Sequence, residues 1–208
     1  MPAQRVAASR SIGWGQRSIA WTWRLGPVVA ALGLMWLATA INLLLLQGAW
    51  FRYGVRAHDP SGLWPNLLIA PFLHAGLAHL LANSVPFVVL GSLIALRSPG
   101  RFVAVTLVGV VGSALVAWLL GAPGSVHIGA SGLVFTFFGW LIVRAVRERS
   151  LLAIGLALVT VVLYGGVLWG LSPFQLGISW QGHLGGLLGG LGAARLWPAP
   201  RRRPSTVE

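Results

Sequence analysis

Four long stretches of this chain carry no charged side chain: residues 25–51, 60–96, 102–143 and 150–194 contain no Arg, Lys, Asp or Glu. A helix needs ~20 apolar residues to cross a bilayer. The first two stretches each hold one such helix, and the last two are long enough for a pair and a turn. Turn residues split them, at Gly121-Ala122-Pro123-Gly124-Ser125 and at Gly170-Leu171-Ser172-Pro173. The predicted helices are 27–47, 79–96, 102–120, 131–146, 150–169 and 181–197, with a less regular segment before the second. Only 9% of the 208 residues are charged, against roughly a quarter in soluble domains. The expected fold is an all-α membrane protein, a bundle of six transmembrane helices.

The charges that do occur orient the bundle. All 15 basic residues are Arg, and every one except Arg52 and Arg56 falls on the same side of the predicted spans. Arg-rich connections stay in the cytoplasm, so both termini are expected there. The expected organisation is a basic cytoplasmic tail over 1–26, a membrane domain over 27–197 and a disordered cytoplasmic tail over 198–208. The apolar run 28–46 exceeds the h-region of a signal peptide and no small-x-small site follows it, so it reads as a retained span. Arg-only usage points to a GC-rich bacterial genome, hence a bacterial plasma membrane.

Composition excludes several chemistries. The acids are Asp59, Glu148 and Glu208, which leaves no carboxylate pair for glycoside hydrolysis and no cage for calcium or magnesium. There is no cysteine for a disulfide or a thiolate nucleophile. No His-Glu-x-x-His occurs, neither Glu lies near a histidine, and no acid neighbours His74, His79 or His183, so neither metal nor cofactor is expected. The net charge of +12 sits at the ends of apolar runs, as anchors do, and not along one face as a nucleic-acid footprint would.

Polar side chains inside a bilayer are expensive, and each is a candidate for function. Here they are His74, His79, Asn83, His127, His183 and the hydroxyl of Ser131. His79 and Asn83 open the second helix, Ser131 the fourth and His183 the sixth; all three helices run inward from the outer face. These groups therefore share a depth. His79 and Asn83, four apart, share a helix face and could equally be interhelical glue. Ser131, in Gly129-Ala130-Ser131-Gly132, could equally be an N-cap. From Ser131 to Arg144 the fourth helix covers only about 20 Å of a ~30 Å core. Its N-terminus is expected to be sunk in the membrane, fed by a re-entrant loop over 121–130. Such a helix end, carrying a hydroxyl, suits a developing oxyanion. Gly185, Gly186, Gly189 and Gly190 should bring the sixth helix against the fourth, and His183 toward Ser131. Ser84, Ser92 and Ser113 read as packing or back-bonded serines; His58 and His127 fall in outer loops and receive no role.

The set His74-x4-His79-x3-Asn83, Gly129-x-Ser131-Gly132 and His183-x2-Gly186-x3-Gly190, on the second, fourth and sixth of six helices, resembles the rhomboid intramembrane serine proteases. The resemblance spans roughly residues 27–195. It implies Ser131 as nucleophile, His183 as general base, and His79 and Asn83 as oxyanion donors beside the Ser131 N–H. It further implies Gly129 as shaper of the loop, Phe135 as the aromatic packed on the base, and His74 as an organiser of hydrogen bonds. Its partners would be the bilayer and the transmembrane segments of substrate proteins, with no nucleic acid and no cofactor. Many members carry Trp-Arg where this chain has Pro65-Asn66. The residues agree on one point by themselves. A Ser-His-Asp triad needs a buried acid, and none of the three acids lies on the proper side at the proper depth, so any serine chemistry here must use a dyad. The runner-up is a catalytically silent rhomboid-like protein that binds transmembrane helices. An unrelated transporter is disfavoured because the inner halves of the helices are apolar.

Overall fold

The computed structural model describes residues 14–61, 63–148 and 151–197. The first half of the expected basic tail (1–13) and the whole expected disordered tail (198–208) lie outside the described residues. The described chain is mostly helical: α1 Trp14–Ala40, α2 Leu63–Ile69, α3 Leu77–Ala95, α4 Pro99–Leu120, α5 Ser131–Glu148, α6 Leu151–Tyr164 and α7 Trp180–Leu196. Two short strands, β1 Val55–Arg56 and β2 Val126–His127, pair antiparallel with Val55 opposite His127. Three helical segments are long and apolar enough to cross a membrane, Thr22–Leu45, Leu77–Ala95 and Pro99–Leu120.

The polarity of the bundle is that of a protein dissolved in lipid. Leu34, Leu37, Leu44, Val85, Leu107, Leu119 and Val162 point outward and are exposed, while Thr39, Asn42, His74, Asn83, Ser84, Thr136 and His183 are buried between helices. Polar groups collect inside because only other protein groups can pair with them there. Asn42 belongs with this set although the sequence reading passed over it. Its carbonyl accepts from the Gly48 N–H and its side chain from the Trp50 N–H, both at 2.8 Å, which ends α1 after a π-helical turn over Ile41–Leu45.

Several helix bounds differ from expectation. The first helix begins at Trp14, ahead of Pro27, which lies inside it. Arg24 is not a free anchor in a tail: its guanidinium donates to the Leu96 carbonyl at 2.6 Å and ties α1 to the end of α3. The fourth predicted helix does not stop near Arg144. It runs 18 residues to Glu148, about 27 Å. Arg144 is only 2% exposed and forks onto Glu148 one turn later at 2.8 and 3.0 Å, so its charge is neutralised within the bundle and the helix continues. The fifth shortens to α6, and Gly165-Gly166 start a 3₁₀ segment over Gly165–Leu171. Pro65 sits in the first turn of α2, where a missing N–H costs nothing, and Asn66 donates to the Gly54 carbonyl at 3.1 Å.

Glycine decides the packing at the centre. A methyl group on Gly186 would overlap the Gly132 carbonyl, and one on Gly190 the Thr136 carbonyl, so α7 lies backbone to backbone on α5 as the glycine pattern predicts. A methyl on Gly185 would overlap the Gly112 carbonyl, so α7 is pressed equally against α4, which the sequence reading did not anticipate. On the far side of α5, Phe87, Phe102 and Phe137 from three helices meet edge-to-face or tilted, at 5.4 to 6.1 Å between ring centres. α5 is thus buried on all sides from Gly132 to Leu141.

Candidate functional site

Ser131 is the first residue of α5. The Ala130 carbonyl accepts from the Leu133 and Val134 N–H groups at 2.9 and 3.1 Å, so Ala130 is the capping residue and Ser131 is not an N-cap. Its hydroxyl is free to leave the helix, and it meets Nε2 of His183 at 2.8 Å. The backbone contact of α7 with α5 makes this approach possible.

The imidazole of His183 is held on two further sides. Nδ1 lies 2.7 Å from the Gly170 carbonyl. A carbonyl only accepts, so Nδ1 carries the proton and Nε2 of the neutral ring is the acceptor facing the Ser131 hydroxyl. Phe135, one turn along α5 from Ser131, stacks on the ring with centroids 4.4 Å apart and planes 15° from parallel. Gly170 is the partner that the sequence did not disclose. Gly170-Leu171-Ser172-Pro173 was legible as a turn, but a backbone carbonyl has no side-chain signature. Among the described residues no carboxylate takes part. Asp59 lies in the first loop and accepts from the Ser61 hydroxyl at 2.6 Å and the Ser61 N–H at 2.9 Å, which hold its carboxyl below the usual value of 3.8.

His79, Asn83 and Gly129 form the other wall. Gly129 has φ +105, in the region that favours glycine, and a Cβ there would come within 2.8 Å of Cε1 and Nε2 of the His79 ring and 3.7 Å of Nδ2 of Asn83. The Ala75 N–H donates to Nδ1 of His79 at 3.4 Å, so Nε2 bears the hydrogen, on the ring edge that lies beside Gly129. One hydrogen of the Asn83 amide goes to the His79 carbonyl at 3.0 Å. His74, fully buried, accepts the Ala130 N–H at 3.4 Å and turns Nδ1 to the Thr39 hydroxyl at 3.4 Å, connecting α1 with the residue before Ser131. The structure therefore brings Ser131, His183, Phe135, Gly129, His79, Asn83 and His74 into one neighbourhood, beside a cleft of about 720 Å³ that His79 and His183 both line.

One serine and one histidine depart from the sequence reading, while a second serine keeps to it. Ser84 is back-bonded, to Leu80. Ser113 is not: it donates across to the Gly182 carbonyl on α7 at 2.9 Å. His127, given no role, bonds Ser125 at 2.9 Å and Ser179 at 2.6 Å.

Residues 61–198 match the family described as Rhomboid domain. This chain belongs to the rhomboid family. An uncharacterised protein of Mycobacterium tuberculosis is 41% identical over 163 residues, covering 74% of this chain and 68% of its own length. An uncharacterised Mycobacterium leprae protein is 37% identical over 196 residues, covering 89% of this chain and 77% of its own length. The rhomboid protease GluP of Bacillus subtilis is 27% identical over 163 residues, 77% of this chain but only 28% of that protein. Family and helices together make this rhomboid chain a membrane protein.

Proposed function

We propose that this rhomboid is an intramembrane serine endopeptidase working through a Ser131–His183 dyad. The observation that carries the reading is the Ser131 Oγ to His183 Nε2 contact of 2.8 Å, with the opposite ring nitrogen committed to the Gly170 carbonyl. In this tautomer Nε2 can take the hydroxyl proton as Oγ attacks the scissile carbonyl carbon. The oxyanion so formed faces the Ser131 N–H, which has no intrahelical acceptor at the start of α5, and the donors Nε2–H of His79 and Nδ2–H of Asn83. His183 then returns its proton to the departing amine and an ester forms on Ser131. A water, deprotonated by the same nitrogen, attacks that ester and releases the acid. Phe135 and the Gly170 carbonyl take over the orienting work of a triad acid.

The substrates in this reading are transmembrane or juxtamembrane segments of other membrane proteins. The chain crosses a bacterial plasma membrane six times with both termini in the cytoplasm, and loop 121–130 enters from the outer side. Supporting this, Arg97, Arg101, Arg144, Arg147 and Arg195 fall at one end of the bundle, joined by the Arg97–Glu148 pair at 2.6 Å and by Arg147 donating to the Arg195 carbonyl at 2.7 Å. The dyad is at the other end.

The test is labelling of the purified protein in detergent by a fluorescent fluorophosphonate, beside Ser131→Ala and His183→Ala with folding checked by circular dichroism. Labelling that vanishes in both variants is expected. A folded wild type that resists this probe and a second serine-directed chemistry would instead assign the chain to helix binding without cleavage.

A further inference from the structure

We propose that His127 is a positioning residue for His183, acting through Ser179; the inference rests on the peptidase reading above. The bonds around it form a chain whose direction is fixed throughout. The Ser125 hydroxyl donates to the Ala122 carbonyl at 2.7 Å, so its oxygen accepts, at 2.9 Å, from Nε2–H of His127. A neutral imidazole with its hydrogen on Nε2 offers Nδ1 as an acceptor, and the Ser179 hydroxyl donates to it at 2.6 Å. The Ser179 oxygen is then free to accept the Gly182 N–H at 3.3 Å, capping α7, while the Ser179 carbonyl accepts the His183 N–H at 3.0 Å. Each hydroxyl and each ring nitrogen is used with one consistent polarity.

The anchoring end of this chain is rigid. His127 lies in β2, paired with Val55, and the backbone on either side is fixed by Ala57 N–H on the Ser125 carbonyl at 2.9 Å and Gly129 N–H on the Ala70 carbonyl at 2.9 Å. His127 stands four residues before Ser131, and Ser179 four before His183. One imidazole therefore joins the segment that delivers the nucleophile to the turn that delivers the base. The α5–α7 glycine contact sets the distance between the helices; the His127–Ser179 bond sets where the first turn of α7 begins, and with it the height of His183 on Ser131. A ring with one donor and one acceptor is required, which phenylalanine of similar bulk cannot provide.

The experiment uses the full chain in detergent. His127→Phe, His127→Asn, Ser179→Ala and the His127→Phe/Ser179→Ala double variant are compared for fluorophosphonate labelling rate, for kcat and KM on a transmembrane substrate, and for melting temperature. In His127→Phe the labelling rate and kcat should fall roughly tenfold to a hundredfold with KM little changed, the scale of loss when a reacting group shifts by about 1 Å. His127→Asn, whose amide can still accept from Ser179, should recover part of the rate, and the double variant should lose little beyond Ser179→Ala. A folded His127→Phe within about twofold of wild type in both rates, a loss confined to KM, or a change in melting temperature alone would each overturn the proposal. Ring ¹⁵N spectra of histidine-labelled protein supply a readout independent of activity. The His183 signals, assigned with His183→Ala, should move in His127→Phe, and unmoved signals count against the role. A wild type inert to the probes defeats the peptidase reading, while these spectra still decide whether His127 places His183.

Discussion

Nδ1 of His183 donates to the carbonyl of Gly170 at 2.7 Å, so a backbone amide oxygen on a 3₁₀ turn stands where a serine triad would place an acid. A Cβ on Gly170 would lie 2.8 Å from that nitrogen and 3.3 Å from the Phe135 ring. Gly170→Ala should displace the imidazole without emptying or charging the core. The expected result is a labelling rate lower by about 10- to 100-fold with the circular dichroism spectrum retained. Asp59→Asn, which removes an acid remote from the base, should leave that rate unchanged.

Asn83 offers a second discriminating variant. Its amide faces the Gly129 backbone while one hydrogen is committed to the His79 carbonyl at 3.0 Å. Loss of a single oxyanion donor costs about 10²–10³ in kcat. Asn83→Ala should therefore reduce kcat on that scale and spare KM, measured on a transmembrane substrate in detergent or liposomes.

Gly129 and Gly124 separate site geometry from backbone strain. Both have positive φ, +105 and +77, but a methyl on Gly129 meets the His79 ring whereas one on Gly124 meets nothing within 4 Å. Gly124→Ala should cost about 1 kcal/mol of stability through strain alone and keep its labelling rate. Gly129→Ala should lose labelling far beyond any change in melting temperature.

The glycines of α7 make a similar pair. Gly186→Ala drives a methyl into the Gly132 carbonyl, so α5 and α7 must part; melting temperature and labelling should fall together. Gly192 has nothing within 4 Å of its missing side chain. Gly192→Ala should leave labelling intact and raise stability by up to about 1 kcal/mol from helix propensity.

At the opposite end of the bundle, Arg144 is buried against Glu148, which also receives Arg97 at 2.6 Å. Removing one partner of a buried ion pair costs about 3–5 kcal/mol. Glu148→Gln should lower the melting temperature strongly while the folded fraction labels at the wild-type rate.

Much of this protein was readable from its residue order, because a bilayer tolerates so few alternatives. Uncharged runs of sufficient length must be helical, and turn residues divide them. Costly polar groups stand out against an apolar background, so His74, His79, Asn83, Ser131 and His183 could be named as candidates. The spacing of Gly186 and Gly190 foretold the approach of α7 to α5. With no acid near the candidate groups, the serine chemistry proposed for this chain had to be that of a dyad.

Other features existed only once the chain was folded, since they depend on groups with no side-chain signature or on partners far away in sequence. The Gly170 carbonyl is invisible in a one-letter code that reads the residue merely as a turn. Arg144 looked like an end anchor until Glu148 and the surrounding helices removed it from solvent. Ser113 and His127 acquired their partners, Gly182 and Ser179, from α7 and its approach, more than fifty residues away. Sequence determined which groups had to leave the lipid; tertiary packing decided which of them meet, because a hydrogen bond is settled by distances of a few tenths of an ångström that only the assembled helices define.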